Sequence, residues 1–275
     1  MVQRIGNRLL IAAQTDVGRV RTLNEDVFLV DEQIGLLMVA DGMGGHDAGE
    51  IASRKVVESI RTALRMSTGL DPATHTPHPL PDVAPPVSQD DERTVDEAPN
   101  PIFNMVNTAI HRANAAVNAH NIERGYPDGM GMGSTLVGLW MPEFSQRPLI
   151  FHVGDSRIYL YRQGSMRQLT QDHSMYQQWL NYGSHGQAPA QNILLQAMGP
   201  ANVVAPDIAF QDFVSGDLLL LCSDGLSSMV SAHRIVEVLR AAGEENLEAS
   251  CQQLIELAYR AGGRDNITVI LGLVL

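Results

Sequence analysis

Residues 34–66 read IGLLMVADGMGGHDAGEIASRKVVESIRTALRM, a strand pattern, a glycine-rich loop and a helix pattern in succession. The apolar run 34–40 is typical of a buried strand, and it ends abruptly at Asp41. From Asp47 onward apolar residues recur at helical spacing, and Asp47 with Glu50 three residues later resembles a capping box. The stretch therefore predicts a strand that ends in a carboxylate, a loop with little side-chain bulk, and a long helix.

The rest of the chain repeats these two patterns. Strands are predicted at 9–18, 26–31, 133–141, 148–153, 156–170, 217–222 and 266–275, and helices at 102–125, 172–182, 231–242 and 246–262. Residues 156–170 read as a hairpin that turns at Gln163 and Gly164. Runs of strands with paired helices predict an α+β fold made of packed layers, rather than a repeated βαβ unit.

One segment has a different composition. Between Asp71 and Pro101 there are seven acidic residues, one arginine and eight of the 14 prolines, so this segment carries half of the formal net charge of −12. We expect a single domain over residues 1–275 with a flexible Pro/Asp-rich insertion at about 68–100. The alternative is that the insertion is a docking segment for a partner, although it contains no recognisable motif.

Composition also excludes several classes of protein. The chain has 275 residues, 44% of them hydrophobic, which is enough for a sizeable core. An acidic chain is not typical of nucleic-acid binding, and no run approaches the roughly 20 apolar residues of a membrane span. The first residues contain no signal-peptide pattern, and Cys222 and Cys251 suggest neither disulfides nor a zinc site. We therefore expect a cytoplasmic monomer that binds neither nucleic acid nor membrane.

Four aspartates stand at the edges of apolar strands next to small residues. They are Asp41, Asp155, Asp224 and Asp265, and any one of them alone would read as a turn residue. Several carboxylates brought together would repel one another unless a cation neutralised them. Carboxylate and carbonyl ligands without a His–Cys pattern favour Mg²⁺ or Mn²⁺. A calcium-binding module is a weaker alternative, because the acids are not gathered in one short loop.

Six blocks occur in order along the chain: RTLNED, ADGMGGHDAGE, GMGST, VGDSR, CSDGL and GGRDNIT. Together they resemble the signature blocks of bacterial type 2C (PPM) metal-dependent serine/threonine protein phosphatases. The resemblance runs from about residue 10 to residue 275, apart from the insertion. It implies a four-layer αββα sandwich, with two antiparallel sheets flanked by antiparallel helix pairs.

The resemblance also implies roles for individual residues. Asp41 would bridge two Mn²⁺ or Mg²⁺ ions, the Gly42 carbonyl would bind one of them, and Asp224 and Asp265 would bind the other. Three further residues complete the set implied by the resemblance: Glu25 binding a metal through water, Asp155 holding a third ion, and Arg21 binding phosphate.

Such a site would hydrolyse phosphoserine and phosphothreonine through a hydroxide formed from the water shared by two ions. The implied partners are phosphoproteins, including a bacterial serine/threonine kinase and its substrates. Two other functions stay open: an inactive scaffold of the same fold, and a hydrolase of small phosphate esters.

The donor of the proton to the leaving oxygen is also open. Eukaryotic relatives place a histidine directly after the first Asp-Gly, where this chain has Met43. His46 follows three residues later, and it either donates the proton or braces the glycine loop while a metal-bound water donates. We favour bracing, so His46→Ala should keep most activity on an activated aryl phosphate.

Overall fold

The structure is a computed structural model that describes residues 2–44, 48–69 and 100–275. The strands in these ranges are β1 (Gln3–Ile5), β2 (Leu9–Asp16), β3 (Asp26–Asp31), β4 (Leu36–Met43), β5 (Gly133–Ser134), β6 (Leu136–Trp140), β7 (Leu149–Val153), β8 (Arg157–Arg162), β9 (Ser165–Gln168), β10 (Asp207–Phe210), β11 (Leu218–Cys222) and β12 (Ile267–Val274). The helices are α1 (Ala48–Ser67), α2 (Pro101–Glu123), α3 (Met175–Asn181), α4 (Asp224–Ser227), α5 (Ala232–Ala241) and α6 (Leu247–Arg260).

The strands form two antiparallel sheets. The first has the order β1-β2-β12-β11-β8-β9, and the second has the order β10-β7-β6-β4-β3 with β5 paired to β4. Chain-distant strands pair at the centre of the first sheet, where Ile267 to Val274 of β12 face Asp16 to Leu9 of β2. This closure brings the last strand of the chain beside the first long one.

Three apolar clusters define four layers. Between the sheets, Ile11 and Leu219 of the first pack with Leu37 and Val137 of the second. On the outer face of the second sheet lie α1 and α2, and on the outer face of the first lie α5 and α6. The predicted αββα sandwich is therefore confirmed, because each sheet buries one face on the other sheet and one on a helix pair.

Most predicted elements are present. The hairpin β8–β9 turns at Gln163 and Gly164, which both have positive φ (50° and 84°), as a type I′ turn requires. Three short elements were not predicted: β1, β10 and α4. The strand β10 was missed because its four residues are alternately exposed and half-buried at a sheet edge, with little apolar signal.

Some predictions lie outside the described residues. These include His46, Asp47 and its share of the helix cap, and residues 70–99 of the insertion. Cys222 and Cys251 are both buried free thiols, as expected. None of the helices in the described ranges is long and apolar enough to cross a membrane.

Candidate metal centre

Aspartates from separate elements meet at one end of the two sheets. Asp41 lies near the end of β4, Asp224 begins α4 directly after β11, and Asp265 precedes β12. Burial raises the pKa of Asp41 well above its ordinary value, and the charges of Asp26, Asp224, Asp155 and Asp265 raise it further. We call these five residues the acidic cluster. Four of them are the aspartates singled out in the sequence, and the structure brings all four together.

Asp224 and Asp41 are in direct contact. Burial raises the pKa of Asp224 and the charge of Asp265 adds to this, while a side-chain hydrogen bond with Asp41 opposes the rise. A hydrogen bond between two carboxyl groups requires a proton between them. The same pair of oxygens could therefore hold a cation in place of that proton.

Asp26 is a member of the cluster that sequence reasoning did not select. It faces Asp41 across the β3–β4 pair and is 6% exposed. Its Oδ2 accepts hydrogen bonds from Ser223 Oγ (2.8 Å) and Thr268 Oγ1 (2.7 Å), and its buried Oδ1 has no partner. Burial raises the pKa of Asp26 to about 7 despite those two bonds. A signal was available, because in β3 Asp26 alternates with Phe28 and Val30, which pack between the sheets.

Asp155 occupies the turn from β7 to β8. Gly154 before it has φ +102°, and a Cβ there would come within 2.8 Å of Thr135 Cγ2, so glycine is needed at this turn. Burial raises the pKa of Asp155 to about 7, and the charges of Asp224 and Asp172 contribute to the rise. The predicted ligand of a third ion is thus electrostatically coupled to Asp224.

Gly42 and Gly49 pack so closely against each other and against Glu25 that no larger residue would fit at position 42 or 49. The Gly42 N–H donates to the Glu25 carbonyl (3.1 Å), and the Gly49 N–H in the first turn of α1 donates to Glu25 Oε1 (3.1 Å). A Cβ on Gly42 would overlap the Gly49 carbonyl oxygen, and one on Gly49 would lie 2.5 Å from Glu25 Oε1. Ser53 Oγ also donates to the Glu25 carbonyl, at 2.6 Å. The glycines after Asp41 therefore allow the start of α1 to close on Glu25.

Arg21 reaches the cluster from the loop between β2 and β3. Its Nη2 lies 2.8 Å from Asp265 Oδ2, and the two side chains are 50% and 36% exposed. The hydrogen bond with Asp265 raises the pKa of Arg21, and the charges of Glu25 and Asp41 raise it too. The arginine expected to bind phosphate therefore lies beside three predicted metal ligands, where it is open to solvent.

Asn266 holds this loop in place. Its Oδ1 accepts the Glu25 N–H (2.8 Å), and its Nδ2 donates to the carbonyls of Val17 (3.0 Å) and Leu23 (2.9 Å). The buried amide of Asn266 thereby fixes both ends of the segment that carries Arg21.

A second group of possible ligands was not anticipated. In the part of the chain that the structure describes, the one trio of His, Cys, Asp or Glu side chains whose ligand atoms all lie within 4.8 Å is His152, His173 and Asp207. The five carboxylates of the acidic cluster do not meet this distance criterion together, and one of them, Asp265, pairs with Arg21.

The residues of the acidic cluster fit hard divalent cations. They offer carboxylate oxygens with no histidine or cysteine among them, and one buried oxygen of Asp26 lacks a partner. Burial, with the charges of neighbouring carboxylates, raises the pKa values of Asp26, Asp41 and Asp224. A cation would relieve both the repulsion and the unpaired oxygen.

Comparison with known proteins agrees with this chemistry. The family model described as protein phosphatase 2C matches residues 18–257. The chain belongs to the protein phosphatase 2C family. The resemblance carried by the six sequence blocks is thereby confirmed.

Individual relatives in the family are similar over nearly the whole chain. The serine/threonine phosphatase stp of Listeria innocua is 34% identical over 266 residues, covering 94% of this chain and 93% of that protein. The crystal structure of the catalytic domain of PstP in complex with two manganese ions has a TM-score of 0.75 at 32% identity, covering 98% of this chain and 99% of that one. The S. agalactiae serine/threonine phosphatase has a TM-score of 0.76 at 31% identity, covering 97% and 100%.

Proposed function

We propose that this chain removes phosphate from phosphoserine and phosphothreonine side chains of proteins, using Mn²⁺ or Mg²⁺ held by the acidic cluster. The observation that carries the proposal is the meeting of Asp41, Asp224 and Asp265 with Arg21 in a protein phosphatase 2C chain. The manganese ions in the related PstP crystal support the choice of metal.

Different residues of the site would hold different cations. Asp41 would be a ligand of both ions of a metal pair, and it lies close enough to Asp26, Asp224, Asp155 and Asp265 for their charges to act on it. The Gly42 carbonyl and, through water, Glu25 would help to hold one ion, and Asp224 and Asp265 would hold the other. Asp155, whose pKa the charge of Asp224 raises, would hold a third. When bound, such ions supply an activated water nucleophile and neutralise phosphoryl charge.

Arg21 binds and orients the phosphate. Its guanidinium is half exposed and already directed at the cluster by Asp265. A phosphate dianion offers the same bidentate geometry with more charge than one carboxylate, so it competes for the guanidinium and releases Asp265. The hydrogen bonds from Asn266 to the carbonyls of Val17 and Leu23 limit the motion of the loop that carries Arg21 during this exchange.

The cellular role that follows from this substrate class is reversal of a bacterial serine/threonine kinase. The kinase itself and its phosphorylated targets are the proposed partners, and the chain acts on them as a monomer. The support for this step is the similarity to bacterial proteins named serine/threonine phosphatases.

The test is phosphate release from a phosphothreonine peptide with Mn²⁺, then with EDTA. We expect release that EDTA abolishes and that Asp224→Asn lowers about 100-fold or more. Asp212→Asn is the matched control, because Asp212 is an exposed carboxylate that pairs with Arg147 instead of with the acidic cluster. Absence of Mn²⁺-dependent release would favour the inactive scaffold, and release from an aryl phosphate alone would favour a hydrolase of small esters.

A further inference from the structure

A second set of metal-binding side chains lies at the β7–β10 edge of the second sheet. His152 of β7 faces Asp207 of β10 directly in the strand register. His173 comes from the segment after β9, and its ring lies 4.6 Å from the His152 ring at an interplanar angle of 32°. Three separate segments therefore contribute one side chain each. We infer that His152, His173 and Asp207 form a binding site for a divalent cation of intermediate hardness, and that Zn²⁺ is the cation that binds there most tightly.

The distances fit a tetrahedral ion. Ligand atoms about 2.0–2.1 Å from zinc lie about 3.3 Å apart at the corners of a tetrahedron. His173 Nε2 is 3.3 Å from Asp207 Oδ2, and His152 Nε2 is 3.8 Å from the same oxygen. The first separation already matches, and the second needs a shift of about half an ångström. Both are long for a charge-assisted hydrogen bond, which is about 2.7–2.9 Å.

The donor set selects a different metal from that of the acidic cluster. Two imidazoles and one carboxylate suit Zn²⁺ and its neighbours, whereas Mg²⁺ and Mn²⁺ prefer all-oxygen sites. Burial lowers the pKa of His152, so its imidazole is neutral, which is the form that binds metals.

The site is accessible from solvent. Asp207 is 64% exposed, while the side chains of His173 and His152 are 12% and 4% exposed. A cavity of about 240 Å³ opens beside His152 and Asp207, and Gln171 and apolar residues complete its lining. An ion can therefore bind first to the exposed carboxylate and then to the two rings.

Existing hydrogen bonds set the cost of binding. His152 Nε2 lies 2.7 Å from the Gln171 carbonyl, which can only accept, so this nitrogen carries the proton of the neutral ring. His173 Nδ1 accepts the Gly154 N–H at 3.3 Å, so in the neutral form of that ring the proton also lies on Nε2. A metal that binds both Nε2 atoms must displace both protons. Each proton moves to Nδ1 of its own ring, and the bond to Gln171 and the long Gly154 contact are lost. The shorter bond from the His173 N–H to the Gly154 carbonyl (2.9 Å) keeps the segment in place.

The test is metal binding to the full-length chain in an Asp41→Asn background, which weakens the acidic cluster. We expect Co²⁺ to give the visible spectrum of a tetrahedral site with nitrogen ligands, and Zn²⁺ to displace it. Asp207→Asn and His173→Gln should each weaken Zn²⁺ binding at least 10-fold. His233→Gln is the matched control, because His233 and Glu237 form an exposed pair on α5 that no third ligand joins among the residues that the structure describes.

A direct measurement avoids reliance on variants that fold poorly. Zn²⁺ should shift the imidazole NMR signals of two histidines in the unsubstituted chain, and Asp207→Asn should remove this shift. Unchanged Zn²⁺ affinity in both variants with a folded chain, or unshifted histidine signals, would overturn the inference. Neither result depends on phosphatase activity, so the proposed function is tested separately.

Discussion

Asp26 is a buried carboxylate that accepts hydrogen bonds from neutral groups. Two hydroxyl groups, from Ser223 and Thr268, donate to one of its oxygens. The other oxygen is one of two buried side-chain polar atoms without a hydrogen bond among the described residues, and the second is Ser227 Oγ. A buried polar atom without a hydrogen bond destabilises the folded protein. A ligand that bonds to this atom removes the destabilisation, and this adds to the ligand's binding free energy.

We predict that Asp26→Asn weakens Mn²⁺ binding at least about 10-fold, because the amide keeps the shape but removes a charge. The thermal stability of the metal-free protein should stay the same or rise, because one source of repulsion is gone. Calorimetric titration with Mn²⁺ and thermal unfolding in EDTA would measure both effects. Ser227→Ala is the control, and equal Mn²⁺ affinity in Asp26→Asn and the unsubstituted chain would contradict the prediction.

Arg21 gives a second prediction at this scale. Arg21→Ala should lower kcat/KM for a phosphopeptide about 10-fold to 100-fold, which corresponds to the loss of a charged hydrogen bond. Arg21→Lys should restore little, because a lysine cannot contact phosphate in bidentate fashion. Arg147→Ala is a matched control, since Arg147 also pairs with one exposed aspartate. Steady-state kinetics with full activity in Arg21→Ala would exclude the phosphate-binding role.

Helices α1 and α2 are attached to the second sheet and its loops by polar contacts as well as by apolar packing. Asp31 at the end of β3 accepts from Arg61 and Arg65 of α1, at 2.7 Å each. On α2, Asn118 donates to the carbonyls of Gly199 (2.9 Å) and Pro200 (3.2 Å), and Asn121 bonds both the N–H and the carbonyl of Met132. These asparagines lie on the buried face of α2 and fasten the loops beside β5 to the helix.

We predict that Asn118→Ala destabilises the protein by about 1–3 kcal/mol, because its buried amide loses the hydrogen bonds to the carbonyls of Gly199 and Pro200. Urea denaturation at pH 7 measures the change. Asn104→Ala on the exposed face of the same helix should have little effect. If both substitutions cost the same, the asparagines do not act as fasteners.

The Asp31 contact should depend on pH. Burial raises the pKa of Asp31, but the hydrogen bonds from Arg65 and Arg61 outweigh it and lower the pKa overall. A lowered pKa adds stability above the unfolded value of about 4, and this stability is lost as the pH falls through the folded value. Asp31→Asn should therefore cost about 1.5–3 kcal/mol at pH 7 and progressively less below pH 4, by urea denaturation. A constant cost across this range would contradict the prediction.

At the scale of the whole molecule, folding concentrates negative charge at one end of the two sheets, and bound cations would balance it. Burial raises the pKa values of Asp26 and Asp155 to about 7 and that of Asp41 well above normal. A raised carboxyl pKa gives stability that is complete below about pH 4 and lost as the pH rises through the folded value. In the metal-free protein this contribution therefore declines between about pH 4 and pH 7.

We predict that Mn²⁺ raises the melting temperature more at pH 7.5 than at pH 5.5, because at the lower pH protons compete for the same carboxylates. Thermal unfolding in Mn²⁺ and in EDTA at equal ionic strength measures the difference. In Asp41→Asn the pH dependence of the Mn²⁺ effect should shrink. An equal effect at both pH values in the unsubstituted chain would contradict the prediction.

Local sequence patterns were enough to predict most of the long strands and helices and several of the site residues. Alternating and continuous apolar runs predicted the long strands and helices, because a strand or helix that buries one face carries apolar residues at its own structural period. The ordered blocks indicated the family, and they contain the four predicted metal ligands Asp41, Asp155, Asp224 and Asp265, which the structure brings together. Short edge elements such as β10 carry too few apolar residues to be recognised in this way.

What the tertiary structure alone decided concerns contacts between residues far apart in the chain. Asp26 meets Ser223 across 197 positions, Arg21 meets Asp265 across 244, and Asn266 clamps a loop near the N-terminus. The trio at His152 likewise forms only when β10 pairs with β7. Sequence spacing specifies which face of an element a side chain occupies, but the partner on that face is chosen by how the sheets close on each other. For that reason the metal-binding chemistry was predictable as a set of residue types, and its geometry was not.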